Sequence, residues 1–129
     1  MTREFELERR VGASVEDTWA AFTGIIPPSL SQVGGEFVFK FDEWELTERT
    51  LELDPPRRRV YGMVAGAPVH SYVGTTELHA DGDGCLLRWT VVADPAVAPE
   101  VFDIFFARAE LVVTRGINMI LDGVQNLSR

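Results

Sequence analysis

Four polar side chains stand where chemistry could be done: Arg49, His70, Tyr72 and Thr76. His70 opens a strand just after Pro68, and imidazole is the one side chain whose ordinary pKa lets it exchange a proton near neutrality. Strict alternation puts Tyr72 and Thr76 on the same strand face as His70, so a proton shuttle and two hydroxyls would share one side of the sheet. Arg49 could anchor a carboxylate or an enolate. Around these lie large apolar residues: Phe37, Phe39 and Phe41 at alternate positions, Tyr61 and Met63, Trp89, and the adjacent pair Phe105 and Phe106. Aromatic walls with a few polar groups are the mix found in small-molecule sites. Burying roughly ten ligand carbons at about 0.8 kcal/mol each, against several kcal/mol of association cost, gives affinity nearer micromolar than nanomolar. Selectivity then falls to the polar groups, because a buried donor or acceptor left unpaired costs about 1–3 kcal/mol.

Each candidate also has an ordinary structural role. A tyrosine such as Tyr72 serves equally as an amphipathic core residue with its hydroxyl satisfied. Arg49, among Glu45, Glu48 and Glu52, suits a solvated surface pair, and the run Arg57-Arg58-Arg59 after Pro55-Pro56 reads as a charged, solvated strand end. Trp89 is core first and stacking platform second. His79, beside a hairpin, reads as wet, and strand parity puts it on the opposite face from His70. With no carboxylate pair at ligand spacing beside either, no metal site is expected. A nucleotide-binding glycine loop, a P-loop and a nucleophile elbow are all missing, which removes most enzyme classes. The lone Cys85 forms no internal disulfide and sits in an alternating apolar strand, where it reads as core.

The elements that must position these residues follow from periodicity. Phe5 and Leu7 alternate with charged neighbours in a first strand that Gly12-Ala13 ends. Ser14, three residues ahead of Asp17, starts a helix carrying Val15, Trp19 and Phe22, which Gly24 and Pro27-Pro28 break. Strands follow at Glu36 to Phe41, Trp44 to Leu53, Arg59 to Val64, Val69 to Leu78, and Cys85 to Val91, the last two joined by the hairpin signal Asp81-Gly82-Asp83-Gly84. In the final strand Cys85, Leu87, Trp89 and Val91 face inward. In the Trp44 strand, Leu51 and Leu53 share a face with Arg49, whereas Trp44 and Leu46 point the other way. Either a bulge reverses that register or one apolar pair lies outside. Pro99 suits a helix first turn, and an apolar stripe runs from about Ala98 to Ser128.

The chain of 129 residues is expected to form one domain over 1–129, of α+β class, with one sheet and one long helix to fill its concave side. With 46% hydrophobic and 25% charged residues it has the composition of a soluble globular protein. A net charge of −8 argues against a nucleic-acid partner, since phosphates are bound by Lys and Arg. No apolar run approaches the roughly 18 residues of a membrane span, and the start of the chain has no apolar signal region, so a cytoplasmic location is expected.

Four segments carry a resemblance: Ser14-Val15-Glu16-Asp17-Thr18-Trp19, Glu48 through Tyr61 around Asp54-Pro55-Pro56, Tyr72-Val73-Gly74-Thr75, and Leu87-Arg88-Trp89-Thr90. Together with the element order they resemble the SRPBCC superfamily, which includes StAR-related lipid transfer domains and birch pollen allergens, and within it the bacterial polyketide cyclase/dehydrase and lipid transport group. The resemblance implies a helix-grip fold, a curved antiparallel sheet wrapped around the C-terminal helix, with a cavity between them. It departs from the pattern between Gly24 and Glu36, where the segment is short and implies a small lid and a more open pocket. Two functions fit. One is binding of a small hydrophobic or aromatic, polyketide- or lipid-like molecule, oriented by the polar residues. The other is a cofactor-independent cyclase or dehydratase acting on a poly-carbonyl chain, with His70 or Tyr72 moving a proton and Arg49 stabilising an enolate. The oligomeric state is open between monomer and homodimer.

Overall fold

The computed structural model describes residues 1–127. Six strands and two helices follow in the order β1 (Arg3–Val11), α1 (Val15–Thr23), β2 (Glu36–Phe41), β3 (Trp44–Asp54), β4 (Arg58–Ala65), β5 (Val69–Asp81), β6 (Gly84–Pro95) and α2 (Pro99–Leu127), with a 3-10 turn at Pro28–Ser31. Ser128, the end of the expected apolar stripe, lies outside the described residues. The strands form one antiparallel sheet in the order β1-β6-β5-β4-β3-β2, so β2 to β6 run as a meander and β1 returns to pair with β6. The sheet curves around α2, the helix-grip arrangement.

Local chemistry accounts for the element ends. The Ser14 hydroxyl accepts from the Asp17 backbone N–H at 3.0 Å and caps α1, satisfying a donor that the helix itself cannot. At the β2–β3 turn Asp42 adopts a positive φ of 55°. Its carboxylate pairs with Arg108 of α2, tying the hairpin tip to the long helix. The β5–β6 hairpin turns at Gly82, and Arg10 of β1 binds both Asp81 and Asp83 beside it.

One face of α2 fills the sheet's concave side. Phe102, Phe105, Val113, Ile117 and Ile120 are buried there against Phe5, Leu87, Trp89 and Val91. Near its C-terminal end α2 meets α1, and a Cβ at Gly123 would stand 3.2 Å from the Cβ of Ala21, so the two helices approach through small residues. This leaves the middle of α2 standing off the β2–β4 half of the sheet, and the space between them is the cavity.

Two bulges decide which side chains reach that space. In β3 the pairing with β4 shifts between Thr50 and Glu52. Leu46, Glu48 and Thr50 therefore point inward, Leu51 points out at 37% exposure, and Leu53 returns to the core. The Trp44–Leu46 pair lies inside, and Arg49 turns outward. In β5 the pairing with β6 shifts between Val69 and Ser71, which leaves His70 exposed although Tyr72, at the same parity, is buried.

Candidate functional site

The cavity holds about 340 Å³ between the sheet and α2. Phe37, Phe39 and Phe41 of β2, Leu46 of β3 and Met63 of β4 form one wall; Phe105, Ala109, Val112 and Val113 of α2 form the other. Residues 25–27 and Leu30 close one side. Phe37 and Phe39 stack with ring centroids 6.2 Å apart, while Phe41 and Trp44 meet Phe105 edge-on. Alternation along β2 produces the aromatic face, because residues two apart in a strand share a side.

At the β3–β4 side of this apolar space stands a polar cluster: Glu48, Arg59, Tyr61 and Tyr72. Arg59 is 1% exposed. Its Nη2 donates to Glu48 Oε2 at 2.7 Å, and Nη2 and Nε donate to Thr50 Oγ1 at 2.9 and 3.2 Å. The Thr50 hydroxyl in turn donates to the Leu30 carbonyl at 2.6 Å, linking the 3-10 turn to the buried guanidinium. Arg59 also lies 4.8 Å from the Tyr61 ring centroid, a cation–π contact strengthened by the burial of the guanidinium.

Tyr61 is held from two sides. Its hydroxyl oxygen accepts from Trp89 Nε1 at 3.0 Å, and its ring lies across Gly74 on the neighbouring strand β5. A Cβ at Gly74 would fall within the envelope of that ring, so the absent side chain is what lets Tyr61 lie flat and reach Trp89. Burial pushes the Tyr61 phenol up to about 12, helped by the nearby Glu48 charge and opposed by the Trp89 hydrogen bond and Arg59. Burial likewise raises Tyr72 well above the ordinary value, with the neighbouring Tyr61 and then Glu48 adding to it. Both hydroxyls are therefore neutral hydrogen-bond donors across the physiological range.

This has a spectroscopic consequence. The chain contains two tyrosines, Tyr61 and Tyr72. The folded protein should show no tyrosinate absorbance as pH rises through 10, the ordinary phenol range. The unfolded chain ionises there while the folded one keeps its protons, so stability is complete below pH 10 and falls as pH rises toward 12. For Tyr61 the loss is roughly 2–3 kcal/mol. Tyrosinate should then appear together with loss of the circular dichroism of the fold; absorbance rising near pH 10 with the fold intact would contradict the buried placement.

The family described as polyketide cyclase/dehydrase and lipid transport matches residues 2–125. The chain belongs to that family. Solved structures with the same fold include norcoclaurine synthase from Thalictrum flavum in complex with dopamine and hydroxybenzaldehyde, at 19% identity and TM-score 0.68, covering 99% of this chain and 87% of that one. Ara h 8.0201 aligns at 14% identity and TM-score 0.73, covering 98% and 99%. The protein MLL2253 from Mesorhizobium loti aligns at 17% and 0.70, covering 96% and 98%. At such identities the likeness is one of fold. No curated protein matches the chain in sequence.

In this polyketide cyclase/dehydrase family member, eight of the residues singled out from sequence stand on the cavity: Phe37, Phe39, Phe41, Tyr61, Met63, Tyr72, Trp89 and Phe105. Four stand elsewhere. Arg49 faces outward and donates through Nε to Glu36 of β2 at 2.7 Å, a partly exposed pair. His70 is displaced by its bulge to the rim of a groove on the other side of the sheet, beside Leu51, Val64 and Val73. Thr76 faces inward but is short; flanked in register by Arg59 and Trp89, it is fully buried, and its hydroxyl has no protein partner among the described residues. Phe106 is rotated about 100° from Phe105 around α2. It packs on Phe102 and Phe5 under the guanidinium of Arg3.

Arg59 and Glu48 are the residues that sequence reasoning passed over. Arg59 was expected among solvated neighbours; Arg57 and Arg58 are indeed exposed or half-exposed, but Arg59 is not. The signal was present in parity, since the alternation that turns Tyr61 and Met63 inward turns Arg59 inward too. Among the described residues no group of three or more His, Cys, Asp or Glu could hold a metal ion.

Proposed function

We propose that this protein binds a small, mainly apolar, aromatic-sized molecule in the cavity between the sheet and α2. The observation that carries the proposal is the state of the cavity's polar groups. Its only carboxylate among the described residues, Glu48, is ion-paired with buried Arg59, and its two phenols hold their protons. Proton-transfer catalysis works best with a group whose pKa lies near the working pH. His70, the residue singled out from sequence as a proton carrier, faces away from the cavity. These groups orient a ligand better than they transform one.

The second reading, a cyclase or dehydratase, draws support from the two phenols side by side, of which Tyr61, with Tyr72 behind it, could donate to a developing enolate oxygen. Turnover would then need Glu48 to accept the proton. The family spans both roles in its description, polyketide cyclase/dehydrase and lipid transport. We place the activity in the cytoplasm, in a monomer or homodimer. A net charge of −8 opposes a nucleic-acid partner, and no helix among the described residues is long and apolar enough to cross a membrane.

Ala109 offers the test. It projects from α2 onto the cavity and is 5% exposed. A neutral dye that brightens on leaving water, N-phenyl-1-naphthylamine, should bind the native protein. Ala109→Phe should weaken that binding at least roughly tenfold by occupying space that several ligand carbons would use, with an unchanged circular dichroism spectrum. Equal dye affinity in a folded Ala109→Phe protein would put the binding site somewhere else.

A further inference from the structure

We infer that the polar side of the cavity is built to take a charge-neutral ligand hydroxyl, phenolic or alcoholic, and to reject a carboxylate. The inference rests on the binding role proposed above and goes on to the ligand's chemistry. Glu48 spends Oε2 on Arg59, and among the described residues Oε1 has no hydrogen-bond partner. The Tyr61 oxygen accepts from Trp89 and is approached by the Tyr72 hydroxyl, whose proton is directed at it, while among the described residues Tyr61's own proton has no protein acceptor in the hydrogen bonds formed. Glu48 Oε1 is thus an open acceptor and the Tyr61 hydroxyl an open donor at the polar side of the cavity.

These two groups are near each other. Thr50 pairs with Tyr61 and Glu48 with Met63, so Glu48 and Tyr61 are diagonal cross-strand neighbours, a spacing that long side chains bridge. The Glu48 charge is also felt by both phenols. A hydroxyl is the simple group that can accept from Tyr61 while donating to Glu48. A ketone accepts only, and an ammonium donates only.

A carboxylate meets two obstacles. Its charge would stand beside that of Glu48 in an apolar space, where repulsion is weakly screened. Arg59, the cation that could compensate, is already bonded to Glu48 and Thr50 and stacked on Tyr61. Its charge is already neutralised by Glu48, so a second anion would leave the polar side of the cavity with one uncompensated negative charge.

Three probes of one shape separate these terms: naphthalene, 2-naphthol and 2-naphthoate, each displacing N-phenyl-1-naphthylamine at pH 7. The expected order is 2-naphthol roughly tenfold tighter than naphthalene, and 2-naphthoate weaker than naphthalene. Tyr61→Phe should remove most of the advantage of 2-naphthol over naphthalene. Glu48→Gln should narrow the gap between 2-naphthoate and naphthalene; should that variant unfold, the Tyr61→Phe ratio still decides. If naphthalene displaces the dye and 2-naphthol does no better, or 2-naphthoate binds as well as 2-naphthol, the inference is overturned while the binding role stands. If neither the dye nor any of the three binds, the binding role falls and the inference with it.

Discussion

Replacing Arg59 by methionine lowers the unfolding free energy by about 3 kcal/mol, the lower end of the range for removing one partner of a buried ion pair. Arg59 is 1% exposed and its partner Glu48 15%, so water at the cavity softens the penalty of the stranded carboxylate. The same substitution strips the Thr50 hydroxyl of its guanidinium donors and removes the cation–π contact with Tyr61. Adding Glu48→Leu should restore most of the loss, because two well-packed apolar side chains are often as stable as a buried pair. Urea unfolding of the native protein, both single variants and the double variant gives the coupling directly. A double variant no more stable than Arg59→Met would mean that the stranded charge is not the source of the loss.

Gly74→Ala should cost about 2–3 kcal/mol, the upper part of the range for overpacking a core, and abolish dye binding. The added methyl must displace the Tyr61 ring, which breaks the Trp89–Tyr61 hydrogen bond and drives a bulky side chain into the cavity. The cost should vanish when the obstacle is removed. In a Tyr61→Ala background Gly74→Ala should be neutral or slightly stabilising, since glycine in a strand interior otherwise weakens it. A loss below about 0.5 kcal/mol for Gly74→Ala alone, which is within the ordinary range for an unconstrained position, would show that Tyr61 does not depend on Gly74.

Both effects centre on residues whose neighbours come from other strands, and this separates what was legible in the chain from what was not. The helix cap at Ser14, the aromatic face of β2 and the inward set Cys85, Leu87, Trp89 and Val91 depend on neighbours within a few residues, and they stand where periodicity puts them. The family resemblance carried by four local segments, and the helix-grip fold it implies, hold as well. Phe106 failed for a local reason: adjacent helical residues cannot face the same way, so only Phe105 reaches the cavity.

Arg49 and His70 failed for a common, non-local reason. Parity is a reliable guide only while a strand stays in register with its partner, and one extra residue reverses every face beyond it. The β3 shift near Leu51 and the β5 shift at His70 arise from pairing with β4 and β6, and neither Arg49 nor His70 carries a mark of it in its own segment. Arg59 is the converse case. Its parity was readable, but among three consecutive arginines a charged side chain goes inside only if a partner waits there, and Glu48, Thr50 and the Leu30 carbonyl behind Thr50 lie 9 to 29 positions earlier.

By itself, then, the sequence determined the elements, their order, the apolar faces and the family, because these follow from short-range periodicity and backbone preference. Only the tertiary structure decided which polar groups meet the cavity, because burying a charge requires partners that strand pairing alone brings together.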